Sequence, residues 1–162
     1  MEKKLILEIR VTIDSREISR LSGQGGSVVL IPFGGSVTGE IFSGRICPGG
    51  VDVQRVNLSG VRHMFARYML EGSDYTGAAC RIYVENNGWF ADGTAEKTFR
   101  TVPSFVTDSA ALAPYLHRNC FVGEGTPDSG GVMIRLYEVL NGQDESSDRT
   151  GRQADGNGNP LG

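Results

Sequence analysis

The chain has 162 residues, about the length of one domain, and its net charge of −3 lacks the basic excess that nucleic-acid-binding proteins carry. Glycine accounts for 23 residues, about twice the usual share, which favours short strands and tight turns over a bundle of long helices. The sequence has no apolar run of about 18 residues and its start, MEKKLILEIR, is not a secretory signal, so we expect a cytoplasmic protein that does not bind membranes.

Alternating apolar and polar residues predict strands along most of the chain, and the clearest example is Leu5–Ile13. Further strands are predicted at Val28–Phe33, Ser36–Ile46, Val53–Leu58, Val61–Glu71, Ala79–Glu85, Thr98–Phe105, Cys120–Gly123 and Val132–Leu140. Pairs that contain glycine predict the turns between them: Gly34-Gly35, Gly49-Gly50, Asn87-Gly88, Asp92-Gly93 and Gly130-Gly131.

One short helix is predicted at Ala110–Tyr115, with Asp108-Ser109 as its N-cap and Pro114 limiting its length. Residues 1–140 are predicted to form a single domain, and residues 141–162 are predicted to form a flexible polar tail, because that segment has too few apolar residues to offset its ordering entropy. Closely spaced strands without helices between them indicate a sandwich or a barrel.

The strand Val61–Glu71 favours the barrel. Its two faces are Val61, His63, Phe65, Arg67 and Met69 on one side, and Arg62, Met64, Ala66, Tyr68 and Leu70 on the other. Both faces mix apolar and polar side chains, whereas a sandwich strand is apolar inside and polar outside. We therefore predict an all-β protein, an antiparallel β-barrel of about eight to ten strands with one short helix and a cavity inside.

Several motifs occur in a characteristic order: Gly34-Gly35, RICPGGVD (45–52), ARY (66–68), IYVENNG (82–88), FRTVPSF (99–105), FVGEG (121–125) and VMIRLYEV (132–139). In this order the chain resembles the UPF0311 family, the domain of unknown function 3237, over most of the predicted domain. The resemblance implies a compact antiparallel barrel, similar in outline to the allene oxide cyclase and dirigent barrels, and a homo-oligomer. It implies no particular reaction.

Three residues are candidates for catalysis. Arg67, in the family's A-R-Y motif, would stabilise negative charge inside the barrel, or would form an internal ion pair with Asp52 or a glutamate. His63 shares a strand face with Arg67 and could act as acid or base, although a lone histidine is more often packed or exposed. Asp52 is either a carboxylate at the cavity or a cap on the glycine turn. The candidates for contacts with substrate are Glu40, Gln54, Phe65, Met69, Tyr83 and His117.

We predict neither a cofactor nor a metal, because no nucleotide-binding or zinc-binding motif is complete; a site made of the two histidines with Asp52 or Glu40 is the alternative. The leading hypothesis is a cofactor-independent enzyme of the isomerase or cyclase type that transfers protons in the cavity, acting on a small organic molecule that is anionic or aromatic. The alternative is a non-catalytic, lipocalin-like binding barrel. A third possibility is a structural oligomer whose barrel is filled.

Overall fold

Strand pairing closes most of the sheet into a barrel. The computed structural model describes residues 1–91 and 98–140. The strands are β1 (Lys3–Thr12), β2 (Ser19–Gly23), β3 (Gly26–Pro32), β4 (Gly34–Thr38), β5 (Phe42–Ile46), β6 (Val51–Val56), β7 (Val61–Asp74), β8 (Ala79–Ala91), β9 (Phe99–Thr107), β10 (Phe121–Asp128) and β11 (Gly131–Val139). Eight of them close in the order β7-β5-β4-β1-β11-β10-β9-β8, because β8 also pairs with β7. The prediction of an antiparallel β-barrel with one short helix is confirmed.

The remaining strands extend one wall of the barrel. One edge of β7 pairs with β5 over Leu70–Asp74 and then with β6 over Arg62–Arg67. Strand β3 continues the sheet beyond β6, and β2 continues it beyond β3. The chain breaks between β5 and β6 at residues 47–50, and between β3 and β4 at Phe33, whose backbone N–H donates to the Gly50 carbonyl oxygen at 3.0 Å. The two breaks therefore lie side by side in the wall.

A short helix covers one end of the barrel, which we call the helix end. This helix is α1 (Ala113–Leu116), and it follows a turn in which the Ser109 hydroxyl accepts from the backbone N–H of Leu112 at 3.1 Å. The same hydroxyl donates to Asp74 at 2.7 Å, which ties the turn to the end of β7. Leu112 and Leu116 are fully buried in the core there. The helical segments within the described ranges are three and four residues long, too short to span a membrane.

Close strand contact at the helix end depends on glycine. Gly44 of β5 lies directly opposite Gly72 of β7. A Cβ atom at Gly44 would lie 2.1 Å from the carbonyl oxygen of Glu71, so no larger residue fits without moving a strand. On β1, a register shift between Leu5 and Leu7 buries both Ile6 and Leu7 and leaves Leu5 exposed, which breaks the predicted alternation at this point.

Several of the predicted strand and turn positions are wrong. The segment predicted as one strand over 36–46 is split into β4 and β5. The turns predicted at Gly34-Gly35 and Asn87-Gly88 are wrong because these residues lie within β4 and β8. Strand β2 was not predicted, since all of its residues are exposed and it has no apolar face. The predicted turn at Asp92-Gly93 and the predicted tail, residues 141–162, lie outside the described residues.

Candidate functional site

The barrel interior is packed near the helix end and contains a cavity of about 120 Å³ in the opposite half. Apolar side chains from β1, β3 and β11, among them Val11, Ile31 and Val132, line one side of the cavity. Polar side chains from β6, β8 and β9 line the other side, and they are Asp52, Gln54, Asn86 and Thr101. The site is thus an apolar chamber with one polar wall.

Strand register explains how this polar wall forms. Ala66 of β7 pairs with Asp52 of β6 on one side and with Asn86 of β8 on the other. These three residues form one row across the inner face, since directly paired residues project to the same side of a sheet. The small side chain of Ala66 leaves open space between the carboxyl group of Asp52 and the amide of Asn86.

Three oxygens in this wall lack hydrogen-bond partners. Within the described part of the chain, the buried side-chain atoms without a partner are Asp52 Oδ1, Asn86 Oδ1 and Thr101 Oγ1. All three belong to residues that line the same cavity. An unpaired buried polar group is unfavourable and uncommon in native proteins, and its presence at one wall indicates a place where a bound molecule or water supplies the missing partner.

A chain of hydrogen bonds fixes the orientation of Asp52. The Arg62 guanidinium donates to Gln54 Oε1 at 2.8 Å, and Gln54 Nε2 donates to Asp52 Oδ2 at 2.8 Å. Because Arg62 engages the amide oxygen of Gln54, the amide nitrogen faces Asp52, and Oδ1 is left without a partner. The side-chain hydrogen bonds of Asp52 and Gln54 join them to each other and to Arg62, and not to the glycine turn. Their geometry therefore differs from that of a turn cap.

Burial raises the pKa of Asp52 above its ordinary value of 3.8. This effect outweighs the hydrogen bond from Gln54, the influence of the Phe65 backbone and the nearby charges of His63 and Arg62, all of which lower the pKa. A carboxyl group whose pKa is raised toward neutrality is better matched to proton transfer than an ordinary aspartate.

Tyr68 adds a further polar group to the cavity lining. Its ring packs edge-on against Phe33 with centroids 5.3 Å apart. Burial raises the pKa of its hydroxyl, so the hydroxyl stays protonated at neutral pH and can donate a hydrogen bond.

Glycine on β10 leaves room for Thr101. Gly123 pairs with Thr101, and a Cβ atom at Gly123 would lie 2.2 Å from Thr101 Oγ1. The threonine side chain can therefore occupy the inner face of β9 at this position, which places its hydroxyl group at the polar wall.

Several predicted site residues lie on the outer face instead. The expectation that Arg67 projects into the barrel is wrong: inner positions of β7 are Met64, Ala66, Tyr68 and Leu70, and Arg67 is exposed, with its guanidinium 5.2 Å from the centroid of the Phe65 ring. Met69, also outside, is 36% exposed. The face of β7 that points inward is the one with Tyr68 and Leu70, because these residues pair with the fully buried Val84 and Ile82 of β8.

His63 and Tyr83 belong to the same outer face. His63 Nε2 lies 2.9 Å from Asn87 Oδ1, and its ring stacks on Trp89 at 4.8 Å. The Tyr83 hydroxyl donates to Glu85 at 2.8 Å. These residues are therefore not brought together with Asp52 in the cavity. The exposed apolar side chains on this face, such as Met69 and Val102, suit the predicted homo-oligomer, which stays a prediction.

Glu40 and His117 lie at the helix end, away from the cavity. Glu40 is exposed in the turn between β4 and β5 and pairs with Lys4 at 3.4 Å. His117 follows α1 and accepts a hydrogen bond from the backbone N–H of Thr107 at 3.2 Å. Among the described residues, no group of three His, Cys, Asp or Glu side chains could hold a metal ion, and the alternative metal site is not assembled.

Sequence reasoning missed Arg62, Tyr68, Asn86 and Thr101. Asn86 could have been found: Ile82 and Val84 occupy alternate inner positions, and the next position on that face is Asn86. The predicted turn at Asn87-Gly88 ended the strand too early to include it. Thr101 shows the same signal, since it precedes the buried Pro103 and Phe105 on the inner face of β9.

Comparison with known proteins identifies the family. The family model described as "Protein of unknown function (DUF3237)" matches residues 2–139. The chain belongs to the DUF3237 family. A UPF0311 protein of Clostridium acetobutylicum is a DUF3237 relative, 30% identical over 155 residues, covering 86% of this chain and 94% of that protein.

Solved structures agree with the DUF3237 assignment. A crystal structure of a protein with unknown function from Clostridium acetobutylicum matches with a TM-score of 0.69 and 26% identity, covering 86% of this chain and 100% of that one. A conserved protein of unknown function from Rhodopseudomonas palustris matches with a TM-score of 0.67 and 28% identity, covering 86% and 97%. The predicted resemblance to UPF0311 is confirmed.

Proposed function

We propose that this protein is a cofactor-independent enzyme of the isomerase type, which moves a proton on a small cyclic molecule bound in the barrel cavity. One observation carries the proposal: Asp52 is held through one carboxyl oxygen by Gln54, and its other oxygen is buried and unpartnered at the cavity wall. This arrangement suits an acid–base group, whereas a structural carboxylate would have both oxygens satisfied.

The chemistry requires two groups on the cavity lining. Asp52 Oδ1 would take the proton from the hydroxyl-bearing carbon next to the substrate carbonyl, and the electron pair of that C–H bond would form the double bond of an enediolate. The Tyr68 O–H would donate a hydrogen bond to the carbonyl oxygen, where negative charge develops. Asp52 would then return its proton to the former carbonyl carbon while the hydroxyl proton passes to the oxyanion, so that the carbonyl and hydroxyl groups exchange places and the enzyme is unchanged.

Deuterium exchange tests this role directly. The probe is 2-hydroxycyclohexanone, a neutral ring with an acidic carbinol C–H, incubated with the full chain in D₂O at pH 7 and followed by proton NMR. We expect the wild type to exchange this hydrogen and Asp52→Asn to lose the exchange by about a hundredfold or more, the usual contribution of a positioned acid or base. The matched control is Asp108→Asn, since Asp108 is exposed at the helix end, accepts from the backbone N–H of Arg81 and should keep the wild-type rate.

Exchange by Asp52→Asn at the wild-type rate overturns the proposal. A different result favours the binding barrel: the probe binds in the cavity and no variant exchanges its hydrogen. The observation behind that second function is the apolar majority of the cavity lining, which includes Val11, Phe33 and Phe99 and is typical of carrier sites.

A further inference from the structure

Among the described residues that line the cavity, none is Lys, Arg or His. Arg67 lies outside, and the Arg62 guanidinium donates to Gln54 and lies 5.5 Å from the centroid of the Phe90 ring. A carboxylate ligand would enter an apolar chamber beside the carboxyl group of Asp52 without a cation in direct contact, because the Arg62 guanidinium is separated from the ligand by Gln54, and this is unfavourable. The ligand that fits is uncharged.

The unpartnered atoms of the wall specify hydrogen-bond donors. Asp52 Oδ1 and Asn86 Oδ1 are acceptors, and Thr101 Oγ1 is a hydroxyl oxygen that can accept as well. A ligand that offers only ether or carbonyl oxygens leaves the two acceptors unsatisfied. A ligand with hydroxyl groups satisfies them, because each O–H donates to one acceptor.

The spacing of the two acceptors limits the size of the ligand. Asp52 and Asn86 lie on either side of Ala66 in one row, so their backbones are separated by two strand spacings, roughly 10 Å. Side chains on the inner face of a closed barrel converge, so the two acceptors lie closer together than their backbones and one small ring can lie between them. The volume agrees: the cavity measures about 120 Å³, and a cavity of about 150 Å³ in another protein accepts benzene.

We infer that the cavity binds an uncharged single-ring compound with hydroxyl donors on two sides, a ring diol or an enol, which Asp52 and Asn86 hold between them above Ala66. The inference rests on the proposed function for its biological meaning, and its test measures binding alone. It replaces the anionic ligand that the sequence suggested, because the arginine on which that suggestion depended lies outside the barrel.

The test is an NMR titration of the full chain with three probes of one ring each. Resorcinol carries two hydroxyl donors, 1,3-dimethoxybenzene has the same oxygens without donors, and benzoate carries a negative charge. We expect resorcinol to shift the backbone amides around the cavity, 1,3-dimethoxybenzene to bind at least tenfold more weakly, and benzoate not to shift them at all. Equal or tighter binding of 1,3-dimethoxybenzene or benzoate overturns the inference, as does failure of resorcinol to bind.

Two neighbouring asparagines supply a matched pair of variants. Asn86 faces the cavity and Asn87 faces outward, where it contacts His63. Asn86→Ala should weaken resorcinol binding about tenfold and leave the affinity for 1,3-dimethoxybenzene unchanged, which also shows that the cavity is intact. Asn87→Ala should change neither affinity. Equal weakening by both variants overturns the inference.

The outcomes for ligand class and for catalysis are separable. Preference for resorcinol combined with no deuterium exchange of 2-hydroxycyclohexanone supports this inference and overturns the proposed enzyme. Deuterium exchange combined with preference for benzoate supports the proposed enzyme and overturns this inference.

Discussion

Asp52→Asn should make the protein more stable at neutral pH, because burial of the ionised Asp52 carboxyl group lowers the free energy of unfolding. Asp52 Oδ2 accepts from Gln54 at 2.8 Å, whereas Oδ1 is buried and has no partner. Leaving a buried acceptor unsatisfied costs about 1–3 kcal/mol, and more when the group is charged. Asparagine keeps the shape and the Gln54 contact and removes the charge, so we expect a gain of about 1–2 kcal/mol, since its own unpaired N–H₂ retains part of the cost.

The pH dependence of this gain has a definite sign. Burial raises the pKa of Asp52 in the folded protein above the ordinary 3.8, so between the unfolded and folded pKa values the folded state binds more protons than the unfolded state. Stability therefore falls as pH rises through that window. Below it, the carboxyl group is protonated in both states and this contribution to the stability of the wild type is fully present.

Urea unfolding of both proteins between pH 4.5 and 8 measures the effect. The stability of Asp52→Asn relative to wild type should increase with pH and level off above the folded pKa of Asp52. Asp108→Asn is the control, and it should stay within about 0.5 kcal/mol of wild type, as exposed substitutions usually do. A variant less stable than wild type at pH 8, or a difference that does not change with pH, would refute the reasoning and identify Asp52 as a structural partner of Arg62 through Gln54.

Two further substitutions test the electrostatics of the site and the packing of the barrel. Arg62→Met should raise the pKa of Asp52 further, because it removes a nearby positive charge and the hydrogen bond that orients Gln54. Arg55→Met, on the exposed face of β6, is the control and should change the pKa less. Carbon NMR of the Asp52 carboxyl group measures both pKa values, and a lower pKa in Arg62→Met would contradict the hydrogen-bonded chain. Gly44→Ala should lower the free energy of unfolding by about 1–3 kcal/mol, since its Cβ would lie 2.1 Å from a carbonyl oxygen of the neighbouring strand. Gly23→Ala, with no atom within 4 Å of the added Cβ, is its control in urea unfolding, and equal stability of the two variants would contradict the packing argument.

The barrel could be predicted because its determinants are local. Alternation of apolar residues identified most strands, and pairs such as Gly130-Gly131 identified turns without reference to distant residues. Asp52 and Gln54, both predicted as site residues, share a strand face because residues two apart do so, and both line the cavity. The family motifs added the assignment to DUF3237, which each motif alone would not have supported.

The inner face of β7 could not be predicted from β7 itself. Each face carries a mixture of apolar and polar residues, including an arginine, Arg62 on one and Arg67 on the other. Pairing with β8 decides between them, since Val84 and Ile82 are buried and lie opposite Tyr68 and Leu70. Val84 and Ile82 lie more than ten residues away from their partners in the sequence, and only the register of the two strands shows which residues of β7 they face.

The break at residues 47–50 determines the chemistry of the wall as well as its shape. Ile46 pairs with Leu70 and Asp52 pairs with Ala66, so six steps along the chain correspond to four steps along β7. The break therefore holds two extra residues, an even number, and Asp52 returns to the inner face that Ile46 occupies. An odd number would turn every side chain of β6 around and place the carboxyl group in solvent. The positive φ of Gly49, +102°, permits this detour, and it lies beside the only carboxyl group among the described cavity residues.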